Sequence, residues 1–328
     1  MNFLYHILIF CLVLFIYLHV YFQLKTSNDL EIYEIEQPSK EKLEEICDLR
    51  QPVVFDFYNE RLLESCNQDT ILATYGAFDV QIRNVVLPKT AILEERAKDA
   101  VVHVPLTFSN TVRAIEEDTD AKYLVERNGE FLEETGLVKT YKYNDCFLRP
   151  PLVAACQYDF LMGSKGVKTP LRYEVNYRTY FLITESAGVR IKLLPPKSTK
   201  YLSLVKDYAL LEFRSPIDPW QVQPQYKADF DKIKALELTV KKGQVLFVPA
   251  YWWYSFTFTE PKTSICVFKY RTYMNIVAIL PHYGLKFLQN QNVKRKTVLT
   301  KPVPEPEKVA ENSADKVVSK DAINDIIL

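Results

Sequence analysis

The chain has 328 residues, 48% of them hydrophobic, which is enough for one large domain or two smaller ones and too apolar for a disordered chain. Lysine plus arginine equals aspartate plus glutamate at 41 each, so no net field favours an acidic polymer, and no nucleic-acid partner is expected. The six cysteines (Cys11, Cys47, Cys66, Cys146, Cys156, Cys266) show no CxxC or dense spacing and no Asn-x-Ser/Thr sequon occurs, as suits a reducing compartment.

Residues 1–24 contain no Asp, Glu, Lys or Arg and read as one membrane helix. A cleaved signal would show a basic start, an apolar run of about 7–15 residues and an A-x-A-like site, so an uncleaved single-pass anchor is expected. Lys25, Lys40 and Lys42 on its C-terminal flank favour a cytoplasmic globular part. A tether, residues 25–31, leads to a short strand from Ile32 to Ile35. Ser39 is placed to cap a helix whose apolar stripe is Leu43, Ile46, Cys47 and Leu49. Pro52 to Phe57 and Phe78 to Arg83 read as strands. Ser109 opens a second helix through Val112 and Ile115, followed by a strand at Tyr123 to Val125 and a turn at Asn128-Gly129.

From Leu152 the pattern is mostly β. Short strands are expected at Tyr158–Met162, Leu171–Tyr177, Tyr180–Thr184, Val189–Leu194, Ala209–Phe213, Val245–Val248, Tyr254–Phe258 and Ile265–Tyr270, a spacing that suits a sandwich or barrel. Arg214 to Tyr226 carries Pro216, Pro219 and Pro224 and reads as a loop. Leu238 to Val240, a turn at Lys241-Lys242-Gly243 and Val245 to Val248 together read as a β-hairpin. Beyond Leu285 the composition shifts to a charged, Pro-containing tail, residues 286–328, with Asp315 to Leu328 as a short terminal helix.

The segment from Gly243 through Pro249 to Trp252-Trp253 resembles the cupin-like JmjC family, and within it the branch that holds the asparaginyl hydroxylase of hypoxia-inducible factor. Lys168-Thr169-Pro170-Leu171-Arg172-Tyr173-Glu174 resembles that family's Thr-Pro-x-His-Tyr-Asp strand. Arg190 to Pro196 resembles its strand ending in Pro-Pro, Ser215 with Asp218 its following loop, and Gln51 to Phe55 its first core strand. The resemblance covers residues 32–285 in order. It implies a mainly β fold with flanking helices, a double-stranded β-helix (cupin, jelly-roll) domain, here behind one N-terminal transmembrane helix.

The resemblance also implies an iron site, and there the residues depart from it. Arg172 stands for the first His, Glu174 for the Asp and Tyr254 for the distal His. Residues two apart on a strand share a face, so Arg172 and Glu174 keep the spacing of a ligand pair. A guanidinium has no lone pair for a metal, and none of the four histidines (His6, His19, His103, His282) falls at a ligand position. Val189 stands where the relative has a lysine for 2-oxoglutarate, with Arg190 adjacent; Val267 or Phe268 stands where it has an asparagine. No metal or cofactor is expected, with Fe(II) and 2-oxoglutarate reserved for the alternative of an oxygenase with a rearranged site.

The expected replacement is an Arg172–Glu174 ion pair at the barrel mouth, completed by the Tyr254 hydroxyl, or else Arg172 holding an anion. Thr169, Arg190, Tyr251, Trp252 and Trp253 are the candidate wall of a pocket there, with core filling as the other reading of the aromatic cluster. The function implied is a membrane-anchored binding or scaffolding module whose partner is a protein or a small anionic ligand. A surviving oxygenase and an inert structural protein are the alternatives.

Overall fold

A computed structural model describes residues 2–85, 103–208 and 210–291. The sequence from Lys294 onward, including the helix expected at its end, lies outside the described residues. Fifteen strands and ten α-helices occur among the described residues, and the strands form two sheets.

Helix α1 (Asn2–Leu24) is followed by β1 (Tyr33–Ile35), α2 (Lys40–Cys47) and β2 (Val53–Asp56). The Ser39 side chain accepts from the Lys42 N–H, which is the cap its position implies. Leu43, Ile46 and Cys47 are buried, but Leu49 is exposed because α2 has ended before it. Next come α3 (Glu60–Ser65), α4 (Gln68–Tyr75), β3 (Asp79–Asn84), β4 (His103–Thr107), α5 (Phe108–Glu117) and β5 (Tyr123–Val125). Helix α5 begins at Phe108, with Thr107 rather than Ser109 as its N-cap; the Ser109 hydroxyl instead donates to the Gly76 carbonyl. Asn128-Gly129 is not a hairpin turn: it opens α6 (Gly129–Glu134), and Asn128 is held by Gln81 and Asp159. Helix α7 (Leu137–Asn144) then leads into β6 (Val153–Gly163), a strand twice the length expected.

The remaining strands are β7 (Arg172–Glu174), β8 (Arg178–Glu185), β9 (Val189–Leu194), β10 (Val205–Asp207) and β11 (Glu212–Arg214). The Pro-rich loop expected to reach Tyr226 ends earlier, because Pro224 sits in the first turn of α8 (Pro224–Phe230), where its missing N–H costs nothing. Then come β12 (Leu236–Val240), β13 (Gln244–Pro249), β14 (Trp253–Phe258), β15 (Ser264–Thr272), α9 (Tyr273–Ala278) and α10 (Leu280–Gln291). Helix α10 runs through Leu285, where the composition had suggested that the tail begins.

The large sheet has the order β1-β2-β13-β8-β15-β6-β5-β3-β4 and the small one β10-β11-β7-β14-β9-β12. Among the described residues only the β1–β2 pair is parallel. One expectation fails here: β12 and β13 are not a hairpin. β12 pairs with β9 in the small sheet, whereas β13 pairs with β2 and β8 in the large one, so Lys241-Lys242-Gly243 carries the chain from sheet to sheet. Gly243 has φ 82°, which a side chain would strain.

This layering explains the unbroken apolar runs. In β13, Leu246 and Val248 face the space between the sheets while Val245 and Phe247 face the helices. β8 divides the same way, with Phe181 and Ile183 inward and Tyr180 and Leu182 against the helical layer. A strand covered on both faces needs no polar alternation, which is why period-two patterning is faint here. A third cluster, with Tyr173, Phe213, Trp253 and Ile279, covers the outer face of the small sheet.

Candidate functional site

Strand β7 is three residues long, and all three are buried. Its pleat sends Tyr173 into the outer cluster, stacked on Phe213 at 4.8 Å, while Arg172 and Glu174 share the opposite face. Tyr254 on β14 is the direct cross-strand partner of Arg172. The three residues singled out from the sequence therefore meet on one inward face, at 4%, 7% and 1% exposure respectively.

Their pairing differs from the expected one. Arg172 does not close on Glu174; its Nη1 donates to Glu126 Oε2 at 2.7 Å and lies 3.4 Å from Glu212 Oε1. Glu126 follows β5 and Glu212 opens β11, so two further elements converge on the guanidinium. Glu174 is taken by other donors. The Tyr254 hydroxyl and the Lys269 ammonium each donate to Oε1 at 2.8 Å, and Asn176 Nδ2 donates to Oε2 at 2.6 Å. Arg271 in turn fixes Asn176 through a 2.7 Å bond to its Oδ1. The Arg172 guanidinium carbon is 5.5 Å from the Tyr254 ring centre, so the two halves touch through that ring.

The arginine half extends outward. Arg83 Nε is 2.9 Å from Glu126 Oε1, but the angle is too poor for a hydrogen bond, so that contact is purely electrostatic. Arg214 Nε donates to Glu212 Oε1 at 2.7 Å and Arg127 Nη2 to Oε2 at 3.1 Å. Four guanidinium groups thus surround two carboxylates. Arg83 Nη2, Arg172 Nε and Arg214 Nη2 find no protein acceptor.

Titration follows from this geometry. Burial works to raise the Glu126 carboxyl, but Arg172, Arg83 and Arg127 outweigh it and hold it down at about 2. Burial likewise opposes ionisation of Glu174, and Lys269 with Arg172 overcomes it, leaving that carboxyl below its ordinary value. Burial, reinforced by the Glu174 charge, pushes the Tyr254 phenol well up, so it is a neutral donor at any physiological pH. Glu126 and Glu174 are thus held as carboxylates and Tyr254 as a neutral phenol.

The donor set does not suit a divalent iron. Of the three positions Arg172 offers no lone pair, Tyr254 keeps its proton, and Glu174, the one carboxylate among them, is already neutralised by an ammonium ion.

The proposed wall residues divide. Thr169 belongs to the frame, since its Oγ1 accepts from the Phe256 N–H and its carbonyl accepts from the Ser255 hydroxyl. Trp252 is buried between the sheets, its indole N–H on the Arg50 carbonyl at 3.1 Å. Trp253 points the other way, into the outer cluster, with its N–H on Thr199. Tyr251 adopts a left-handed φ of 67° and packs beside Trp253 and Tyr173. Arg190 is not brought to the cluster: it lies on the exposed face of β9, paired with Glu237 and stacked over Trp220. A single residue's step along a strand reverses the face, and Val189, its neighbour, is the one that points inward. Val267 is inside the sandwich, Phe268 against the helices.

Sequence reasoning missed Lys269, Glu126, Glu212 and Arg83. Their common signal is a charge set within or beside an apolar strand, as in Val267-Phe268-Lys269-Tyr270 and Leu124-Val125-Glu126. Such residues are seldom buried unless paired.

Two β-sheets packed face to face, with helices on the outer face of the larger, define a β-sandwich of the cupin type. The family model described as cupin-like domain matches residues 38–272, well over half of the chain, and the chain belongs to that family. No curated protein matches it. Ahead of the domain, Phe3–Leu24 is a helix long and apolar enough to cross a membrane.

Proposed function

We propose that this protein is a membrane-anchored, non-catalytic binding or scaffolding module built on the fold of an Fe(II)/2-oxoglutarate oxygenase. Residues 1–24 are the anchor, 25–31 the tether, 32–285 the cupin-like domain and 286–328 the tail, with the domain on the cytoplasmic side. Arg172, Glu174 and Tyr254 occupy the positions that hold iron in the JmjC-type branch resembled by the Thr169 to Glu174 and Gly243 to Trp253 segments. The observation that carries the reading is at Glu174, whose Oε1 receives both the Lys269 ammonium and the Tyr254 hydroxyl at 2.8 Å. A carboxylate so engaged has its charge spent within the protein. The excess of guanidinium over carboxylate around Arg172, with four guanidinium nitrogens (Arg83 Nε and Nη2, Arg172 Nε and Arg214 Nη2) making no hydrogen bond, favours an anion as the contact: a small carboxylate or phosphate compound, or an acidic side chain of a partner protein.

Metal analysis of the purified full chain, paired with an assay for 2-oxoglutarate turnover, tests this. The expected result is substoichiometric iron and no succinate above the no-enzyme level. Stoichiometric iron with succinate release would overturn the reading and restore the oxygenase alternative.

A further inference from the structure

The apolar helix at the N-terminus does not stand clear of the domain. Residues 3–18 of α1 are exposed all round, but from His19 the helix settles against the protein, where Gln23 is buried and α9 runs beside it. The guanidinium of Arg50 lies over both the Phe22 and the Tyr177 rings, with ring centres 5.3 and 4.6 Å from its central carbon. Arg50 is 2% exposed, and its Nε and Nη2 have no acceptor.

Length then places the domain. The apolar stretch is 22 residues, about 33 Å at 1.5 Å per residue, against a hydrocarbon core of about 30 Å. The freely exposed part, 3–18, covers only about 24 Å of that thickness. A full crossing has to include Leu18 to Phe22, so whatever packs against those residues lies at hydrocarbon or headgroup depth.

The surface found there is apolar. A cavity of about 470 Å³ opens between α1 and the domain; Leu18, Phe22, Leu152 and Met274 are among its lining, with His19, Gln23 and Thr272 as its polar members. Leu152 is held at φ 54°, a conformation that costs a leucine about 1–2 kcal/mol, and its side chain is nonetheless 76% exposed. Tyr273 and Val277 on α9 and Leu280, Leu285, Phe287 and Leu288 on α10 are exposed as well. On α10 the partly covered positions, His282, Tyr283 and Lys286, lie on the opposite side of the helix.

We propose that α9, the apolar face of α10 and the Leu152 turn are seated in the lipid of the membrane that α1 crosses, with a phospholipid acyl chain entering the cavity beside Phe22. The domain is thereby oriented on the bilayer rather than swinging on its tether. This deepens the anchored-module reading and rests on α1 being in the membrane.

The test places a photoreactive benzophenone amino acid singly at Phe10, Leu152, Tyr273, Leu288 or Tyr58 of the full chain, reconstituted in vesicles of neutral and anionic phospholipid. Tyr58 is the control, because it is exposed but lies against Gly243, at the end of β13 opposite Pro249, the residue paired with Arg178 beside Tyr177. Lipid adducts at Phe10, Leu152, Tyr273 and Leu288 with none at Tyr58 are expected. Adducts at Phe10 alone would overturn the seated face and leave the anchor standing. No adduct at Phe10 would overturn the anchor and the seated face together. Adducts at Tyr58 equal to the rest, or cross-links from Leu288 to a second copy of the chain instead of lipid, would also overturn the proposal.

Discussion

Glu126→Gln asks whether charge holds the interior cluster together. Glu126 is fully buried, takes a 2.7 Å hydrogen bond from Arg172 and lies 2.9 Å from Arg83. The amide keeps the shape but leaves two buried guanidinium groups facing a neutral side chain. Removing one member of a buried ionic set costs about 3–5 kcal/mol. The depression of the carboxyl from 4.5 to about 2 converts to about 3 kcal/mol, in the same range. Because the folded value is the lower one, this contribution is complete above the unfolded value and disappears as pH falls through the folded one. About 2 kcal/mol of it is gone at pH 3. Urea unfolding of the full chain in detergent, followed by tryptophan fluorescence at pH 7 and pH 3, measures both quantities. The variant should be about 3 kcal/mol less stable at pH 7, with the gap shrinking to about 1 kcal/mol at pH 3. A loss below about 1 kcal/mol at pH 7, or a gap independent of pH, would refute the electrostatic account.

Tyr254→Phe keeps the ring against Arg172 and removes only the donor to Glu174. A loss of about 2 kcal/mol is expected, as for a hydrogen bond to a charged group, read from the same unfolding curves. Gly243→Ala tests the crossing between sheets: at φ 82° the new methyl would lie 2.9 Å from Tyr58 Cε1. It should lower stability by about 1–2 kcal/mol, and a neutral result would mean that the turn relaxes freely.

Most of the core strands and the first helices were legible because turn chemistry and β-type runs are local signals, whereas short helices such as α3, α4 and α6 to α9 were not. Ser39 caps its helix as expected, and Val189–Leu194 is a strand over the expected bounds. What could not be read was partnership between distant segments. The residues around Lys241-Lys242-Gly243 carry the signature of a hairpin, and only the registers of β12 with β9 and of β13 with β8 reveal that the strands part company. The site shows the same division. Period two along β7 put Arg172 and Glu174 on one face, and the family resemblance brought Tyr254 to them. Which carboxylate answers Arg172 depends on Glu126 and Glu212, 46 and 40 residues away, and no local pattern encodes that choice.

Lys269 decides how far the site stands from a metal centre. Changing Arg172→His, Glu174→Asp and Tyr254→His places the ligand types of the resembled family at three positions that meet on one inward face, and some iron binding should appear. Yet Lys269 would remain, an ammonium ion now 2.8 Å from the carboxylate that has to ligate. A unit charge about 5 Å from a divalent ion, at an effective dielectric of about 20, repels it by about 6–7 kcal/mol before relaxation. Lysine is flexible and this one is partly exposed, so much of that repulsion relaxes by swinging outward, and about tenfold in affinity is expected to survive. Adding Lys269→Ala to the triple variant should therefore tighten iron binding by at least that factor, measured by anaerobic titration with Fe(II). Equal affinities would mean that Lys269 leaves the site without cost, and the carboxylate's neutralisation would no longer argue against metal.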